Sequence, residues 1–258
     1  MKKGLQLYTI RDSYSNGEEL KEILKKVKEL GFEELEFAGF ADLEAEELRD
    51  YLKEIGLTPI SSHQSLENLS VNLEETVRYH KILGVPYIAC AIAPTSTAEE
   101  MENLLKILTT AREVVKENGM ELLYHNHAHE FVKLPDGRLP IELIRETIRL
   151  ELDTFWVFHA GTEPCAYIKE HAGDIALIHL KDGDFEGHPL ALGEGYNNIK
   201  GIAAMASAIG LNQLIIENDN PSPDGLSDIG RSINYLNKLL NNELNKTIKN
   251  AINKESNI

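Results

Sequence analysis

The sequence predicts a (β/α)8 TIM barrel. Eight short, nearly continuous apolar runs alternate with eight amphipathic helical patterns, and the unit of roughly 30 residues returns along the chain without a linker rich in Pro, Gly or Ser. The length of 258 residues also suits this fold, usually ~250 residues. A doubly wound open sheet is the alternative, but no strand-like run is followed by the glycine-rich dinucleotide fingerprint.

Taken in order, the runs are GLQLYTI (4–10), ELEFAG (34–39), TPISSH (58–63), PYIACAIA (86–93), ELLYHNH (121–127), RLELDTF (149–155), IALIHLKD (175–182) and QLIIEND (213–219). Their apolar character fits strands covered on both faces, as in a parallel sheet. Helical patterns follow them over 16–31, 44–56, 73–84, 98–119, 140–149, 165–173, 199–210 and 227–240. Gly31, Gly56, Gly84, Gly119, Gly173 and Gly210 close six of these, as expected of helices that stop on a left-handed residue. Residues 1–241 form one barrel domain in this reading, and 242–258 lose the apolar period and form a polar C-terminal tail.

Composition narrows the function. There are 42 acids against 26 bases, and the net charge of −16 repels a phosphate backbone, so nucleic acid is not an expected partner. No apolar run approaches the ~20 residues of a membrane span, and the N-terminus lacks a signal peptide's apolar segment, so the expected location is cytoplasmic and no membrane partner is expected. Cys90 and Cys165 have no CxxC spacing and read as buried thiols.

In a barrel of this type chemistry gathers where the strands end. That rule selects Tyr8 and Arg11 after the first strand, Glu36 on the second and His63 after the third. It adds His125 and His127 on the fifth, Asp153 and Trp156 on the sixth, His179, Lys181 and Asp182 on the seventh, and Glu217 and Asp219 on the eighth. Four successive strands end alike, on His125, Asp153, His179 and Glu217. Two imidazoles and two carboxylates around an open position suit Mn²⁺, Zn²⁺, Co²⁺ or Fe²⁺, and suit oxygen-preferring Mg²⁺ less well. In the stretch YHNHAHEF (124–131) the three alternate histidines are therefore not one site: His125 ends the strand as a ligand, His127 reaches substrate or ion from the loop, and His129 is structural.

The segments QLYTIRD (6–12), YHNHAHEF (124–131), LDTFWVFHAG (152–161), IHLKD (178–182), LGEG (192–195) and IIEND (215–219) together resemble the sugar phosphate isomerase/epimerase family of the xylose isomerase-like TIM barrel superfamily. The resemblance implies a divalent-metal set of Glu, Asp, His and Glu on the fifth to eighth strands. Asp153, His179 and Glu217 match it, and His125 stands in place of the first Glu, one of the two glutamates that serve ketose epimerases of this group as an acid/base pair. Metal-dependent apurinic endonucleases share the superfamily, but where their pattern has a His three residues after the Asp this chain has Trp156.

The expected activity is that of a metal-dependent sugar isomerase or epimerase in carbohydrate metabolism, which abstracts a proton next to a carbonyl through a metal-bound enediolate. Glu217 is the expected base, His63 or His127 serves the opposite face, and Lys181 stabilises negative charge. Tyr8, Arg11, Glu36, Trp156 and Asp219 contact a small carbohydrate. The alternatives are a lyase that eliminates from keto-sugars or 3-keto-glycosides, and a sugar-binding barrel without catalysis. No glycine-rich phosphate loop stands out, and a homo-oligomer is left open.

Overall fold

The computed structural model describes the backbone of residues 1–255 and the side chains of residues 1–242. Strands β1 (Lys2–Gln6), β2 (Glu34–Phe37), β3 (Thr58–Gln64), β4 (Tyr87–Cys90), β5 (Glu121–His125), β6 (Arg149–Asp153) and β7 (Ile175–Leu180) are followed by a short hairpin, β8 (Asp182–Gly183) and β9 (Pro189–Leu190), and by β10 (Gln213–Ile216). β10 is the eighth barrel strand. It pairs in parallel with β1 on one side and β7 on the other, which closes the sheet in the order β1-β10-β7-β6-β5-β4-β3-β2. The predicted barrel is thus the observed one.

The outer layer holds α1 (Gly17–Glu29), α2 (Ala45–Ile55), α3 (Leu73–Leu83), α4 (Ala98–Glu117), α5 (Pro140–Arg145), α6 (Thr154–His159), α7 (Pro164–Glu170), α8 (Ile199–Ala208) and α9 (Gly225–Glu255). Local sequence sets their ends. Thr97 and Glu100 form a reciprocal capping box at the start of α4, and Gly56 and Gly84 end α2 and α3 in the left-handed region, where a Cβ would be strained. Gly173 departs from the expectation: α7 stops at Glu170, and Gly173 sits in a 3-10 turn without a positive φ. The backbone of α9 continues through the segment expected as a polar tail. The side chains of residues 243–258 lie outside the described residues. Cys90 is buried as expected, whereas Cys165 is only half-buried.

Two apolar clusters hold the barrel. The larger packs the outer strand faces against the helices. The smaller, Ile60, Ala89, Leu123, Ala176, Leu177 and Ile215, stands apart from it. Leu123, Leu177 and Ile215 lie two residues before His125, His179 and Glu217, so each shares a strand face with the polar residue above it. This cluster is the apolar floor on which the polar end of the barrel rests. β6 breaks the pattern, because the residue two before Asp153 is Glu151, fully buried. Leu123→Ala is expected to lower the unfolding free energy by about 2–5 kcal/mol in urea titrations, since the closed sheet cannot collapse around the void.

Candidate metal centre and active-site cavity

Asp153 shows how the fold aims a ligand. One carboxylate oxygen, Oδ1, accepts the backbone N–H groups of Phe155 and Trp156 and so caps α6. Oδ2 is left pointing into the barrel, buried and without a hydrogen bond, although Lys181 Nζ stands 3.3 Å away. The strand beside it is fixed by Asn126, whose amide accepts from Asp153 N and donates to Asp153 O. Around this oxygen lie His125 Nε2 at 3.9 Å and Glu217, whose Oε2 is 2.9 Å from His179 Nδ1 and 4.0 Å from His125 Nε2. Donor atoms from His125, Asp153, His179 and Glu217 all lie within 4.8 Å of one another. The longer separations exceed a hydrogen bond but are those of atoms sharing one ion, and the bare Oδ2 of Asp153 is the acceptor such an ion would satisfy. The donor set therefore fits a divalent cation.

Charge supports the same reading. Glu36, Glu151, Asp153 and Glu217 are buried together, and among the described residues the one lysine paired with them is Lys181, itself fully buried. Lys181 Nζ is 3.2 Å from Glu217 Oε2 and also bonds Asp219. Burial works against the Lys181 charge, but Asp153, Glu217 and Asp219 overcome it and hold the ammonium protonated. Burial lifts Asp153 to about 6 against the pull of Lys181, whereas Glu217 ends well below the usual carboxylate range because Lys181 and His179 outweigh burial. Burial also opposes charge on His63, yet the carboxylates of Glu36 and Glu151 raise it to about 9. His127 is depressed to about 3, first by burial and then by Lys181, so it is neutral.

Above these groups opens a cavity of about 530 Å³, lined among others by Tyr8, His63, His125, His127, Trp156, Glu217 and Asp219. The structure thus gathers most of the sequence-selected residues around one space. Three stand elsewhere. Arg11 lies over the Tyr8 ring, 4.1 Å from its centroid, and donates to the carbonyls of Tyr8 and Asp219, so it braces the rim rather than lining the cavity. Glu36 lies beneath the cavity, where its Oε2 is 2.6 Å from His179 Nε2. Asp182 is spent on the chain itself: its carboxylate accepts backbone N–H groups from Gly183, Gly193, Gly195 and Asn197 and ties down the hairpin loop. His129 Nε2 bonds the Ala93 carbonyl, and Glu130 accepts from Tyr124 Oη and His127 N, which positions the His127 loop.

The residue that strand-end reasoning misses is Glu151. Its Oε2 is 2.7 Å from His63 Nε2, 3.4 Å from His179 Nε2 and 3.6 Å from His125 Nδ1. The signal was present in RLELD, where Glu151 and Asp153 share a face of a strand whose other side is also buried.

A closed parallel barrel with this donor set at the carboxyl ends of its strands defines a class, the metal-competent (β/α)8 proteins. The xylose isomerase-like TIM barrel family model matches residues 24–239, and the chain belongs to that family. Among solved structures, a sugar phosphate isomerase/epimerase from Parabacteroides distasonis ATCC 8503 superposes with a TM-score of 0.81, at 22% identity over 92% of this chain and 98% of that one. The IolI protein with a bound zinc atom superposes at 0.74, with 16% identity over 93% and 98% of the two chains. At these identities the likeness is one of fold. In sequence, an inosose dehydratase from Geobacillus kaustophilus (strain HTA426) is 32% identical over 88 residues, 33% of this chain and 29% of that protein, so the chain spans less than a third of that relative's length. Among the described residues no helix is long and apolar enough to cross a membrane.

The buried charges predict a pH dependence for the metal-free protein. A His63 pKa raised from 6.5 to about 9 contributes stability that is complete below 6.5 and is lost as pH rises through 9, and the raised Glu36 and His179 act in the same direction. Thermal melts in chelator are expected to fall steadily from pH 6.5 to 9. A melting temperature that rises over this range would contradict the assignment.

Proposed function

We propose that the protein is a divalent-metal-dependent sugar isomerase or epimerase that moves a proton at the carbon next to a carbonyl. The observation that carries this reading is the convergence of His125, Asp153, His179 and Glu217 at the floor of a cavity whose walls also present His127 and Glu217 as proton-transfer groups. A divalent ion held by those four would act as a Lewis acid toward the carbonyl. Mn²⁺, Zn²⁺, Co²⁺ and Fe²⁺ suit the mixed nitrogen and oxygen donors.

The chain's own groups divide the remaining work. Glu217 stays anionic beside Lys181 and can accept the substrate's proton at the cavity floor. His127, neutral and with an unpaired buried Nδ1, faces the same cavity and can exchange a proton from another direction. Lys181, held protonated, brings positive charge beneath the position where the enediolate's negative charge develops. The unpaired indole Nε1–H of Trp156 is a donor for a substrate hydroxyl, while Ala38, Ala91 and Ile92 give the wall an apolar strip that suits the C–H face of a small carbohydrate.

Elimination is the second reading, and the partial match to an inosose dehydratase favours it. The same proton abstraction leads there when a substituent leaves from the carbon beta to the carbonyl. A panel of keto-sugars incubated in deuterium oxide separates the two. An isomerase or epimerase incorporates deuterium at the alpha carbon and releases nothing, whereas a lyase expels water, an alcohol or a sugar. Glu217→Gln is expected to lower kcat by about 10²- to 10⁴-fold. Neither exchange nor release from metal-loaded protein across the panel, with sugar affinity retained, would leave a binding protein and end the enzymatic reading.

Chelator is expected to abolish turnover, and readdition of Mn²⁺ or Zn²⁺ to restore it. Activity that survives exhaustive chelation would rule the metal role out.

A further inference from the structure

From His63 on the cavity wall down to Glu36 and Glu151 below it runs a second cluster that the proposed reaction does not use. Glu36, His63 and Glu151 converge there with the far sides of the His125 and His179 rings. His63 stacks on His179 with ring centroids 5.5 Å apart and planes 4° from parallel, and its centroid is 4.7 Å from that of His125. We propose that this chamber is a second divalent-cation site, with His63 Nε2, Glu36 Oε1, Glu151 Oε2 and His125 Nδ1 as donors.

Two unsatisfied atoms point to it. Glu36 Oε1 and His125 Nδ1 belong to side chains that are 0% and 2% exposed, and neither atom has a hydrogen-bond partner. Orphaned buried polar atoms are costly, and both side chains belong to this cluster: Glu36 Oε1 approaches His63 and His125 Nδ1 approaches Glu151. The spacing fits as well. His63 Nε2 is 2.7 Å from Glu151 Oε2 and 3.5 Å from Glu36 Oε1, and His125 Nδ1 is 3.6 Å from Glu151 Oε2. Ligand bonds of about 2.0–2.1 Å around a tetrahedral ion give donor separations of about 3.3 Å, so the cluster brackets that value.

Charge balance points the same way. Lys181 serves Asp153, Glu217 and Asp219 in the upper set and gives nothing to the chamber. Once His179 Nδ1 is committed to an ion above, its Nε2–H can only donate to Glu36 Oε2, the carboxylate-to-histidine contact that commonly fixes a metal-bound ring. Two buried carboxylates then face a chamber whose one remaining ionisable partner is His63, and a divalent cation neutralises both. His125 stands between the two sites, with Nε2 toward Asp153 and Nδ1 toward Glu151. If it binds an ion on each nitrogen, the ring gives up its N–H proton to solvent. Mixed nitrogen and oxygen donors select Zn²⁺, Mn²⁺ or Co²⁺ over Mg²⁺ and Ca²⁺.

The test is a count of ions on the full chain, stripped with chelator, reloaded with Zn²⁺ and freed of loose metal by gel filtration. Wild type is expected to retain two Zn²⁺ per chain, and Glu151→Gln and Asp153→Asn one each. One ion in wild type, or two in Glu151→Gln, would overturn the second site and would mean that Glu36 and Glu151 only orient the histidines above. Failure of the upper site has a different signature, because Asp153→Asn would then leave the count unchanged. A measurement on wild type alone guards against variants that do not fold. Protein loaded with two equivalents of Mn²⁺ should give a spin-coupled electron paramagnetic resonance spectrum, and the hyperfine pattern of isolated ions at that loading would refute the proposal.

Discussion

Four carboxylates buried at one end of a closed barrel are the constraint on which the rest of the molecule depends. Glu36, Glu151, Asp153 and Glu217 sit above an apolar cluster that includes Leu123, Leu177 and Ile215, and among the described residues Lys181 is the one lysine paired with them. Unpaired charge in such surroundings costs several kcal/mol per group, so each must be met by a cation, a hydrogen bond or a proton. Lys181 meets Asp153, Glu217 and Asp219, and the imidazoles of His63 and His179 meet the remainder in the metal-free chain. Protons on those imidazoles offset part of the negative charge, and a divalent cation would offset it further.

The barrel makes this concentration of charge possible. Alternation along a strand delivers every second side chain to the interior, and parallel strands all end at the same rim, so residues as far apart in sequence as Glu36 and Glu217 meet around His179. Loops complete the mouth: α6 is capped by Asp153 itself and carries Trp156 into the wall, while Glu130 pins the His127 loop through Tyr124. Ligand placement and loop placement are thus set by the same groups, which favours a site rigid before substrate arrives.

Much of this was legible in the sequence. The eight apolar runs and their spacing predicted the barrel, and strand-end reasoning brought His125, Asp153, His179 and Glu217 together because each closes a run buried on both faces. It did not single out Glu151. In RLELD Glu151 lies two residues before Asp153 on the same buried face, and a rule that selects strand ends passes over it. Glu36 was singled out but expected at a substrate. Its depth depends on a register shift between β2 and β3 next to Leu35 and on pairing across the barrel, neither of which leaves a local trace. In the sequence Asp182 closes the seventh apolar run, and its role in holding four backbone N–H groups emerges only from the path of the loop.

The central claim is that the buried acids exist to hold a divalent cation between His125, Asp153, His179 and Glu217. Its most direct test is anomalous diffraction at the manganese edge from crystals grown with Mn²⁺ and without chelator. The account predicts a strong anomalous peak within bonding distance of Asp153 Oδ2, His179 Nδ1 and Glu217 Oε2. No anomalous density there would contradict it.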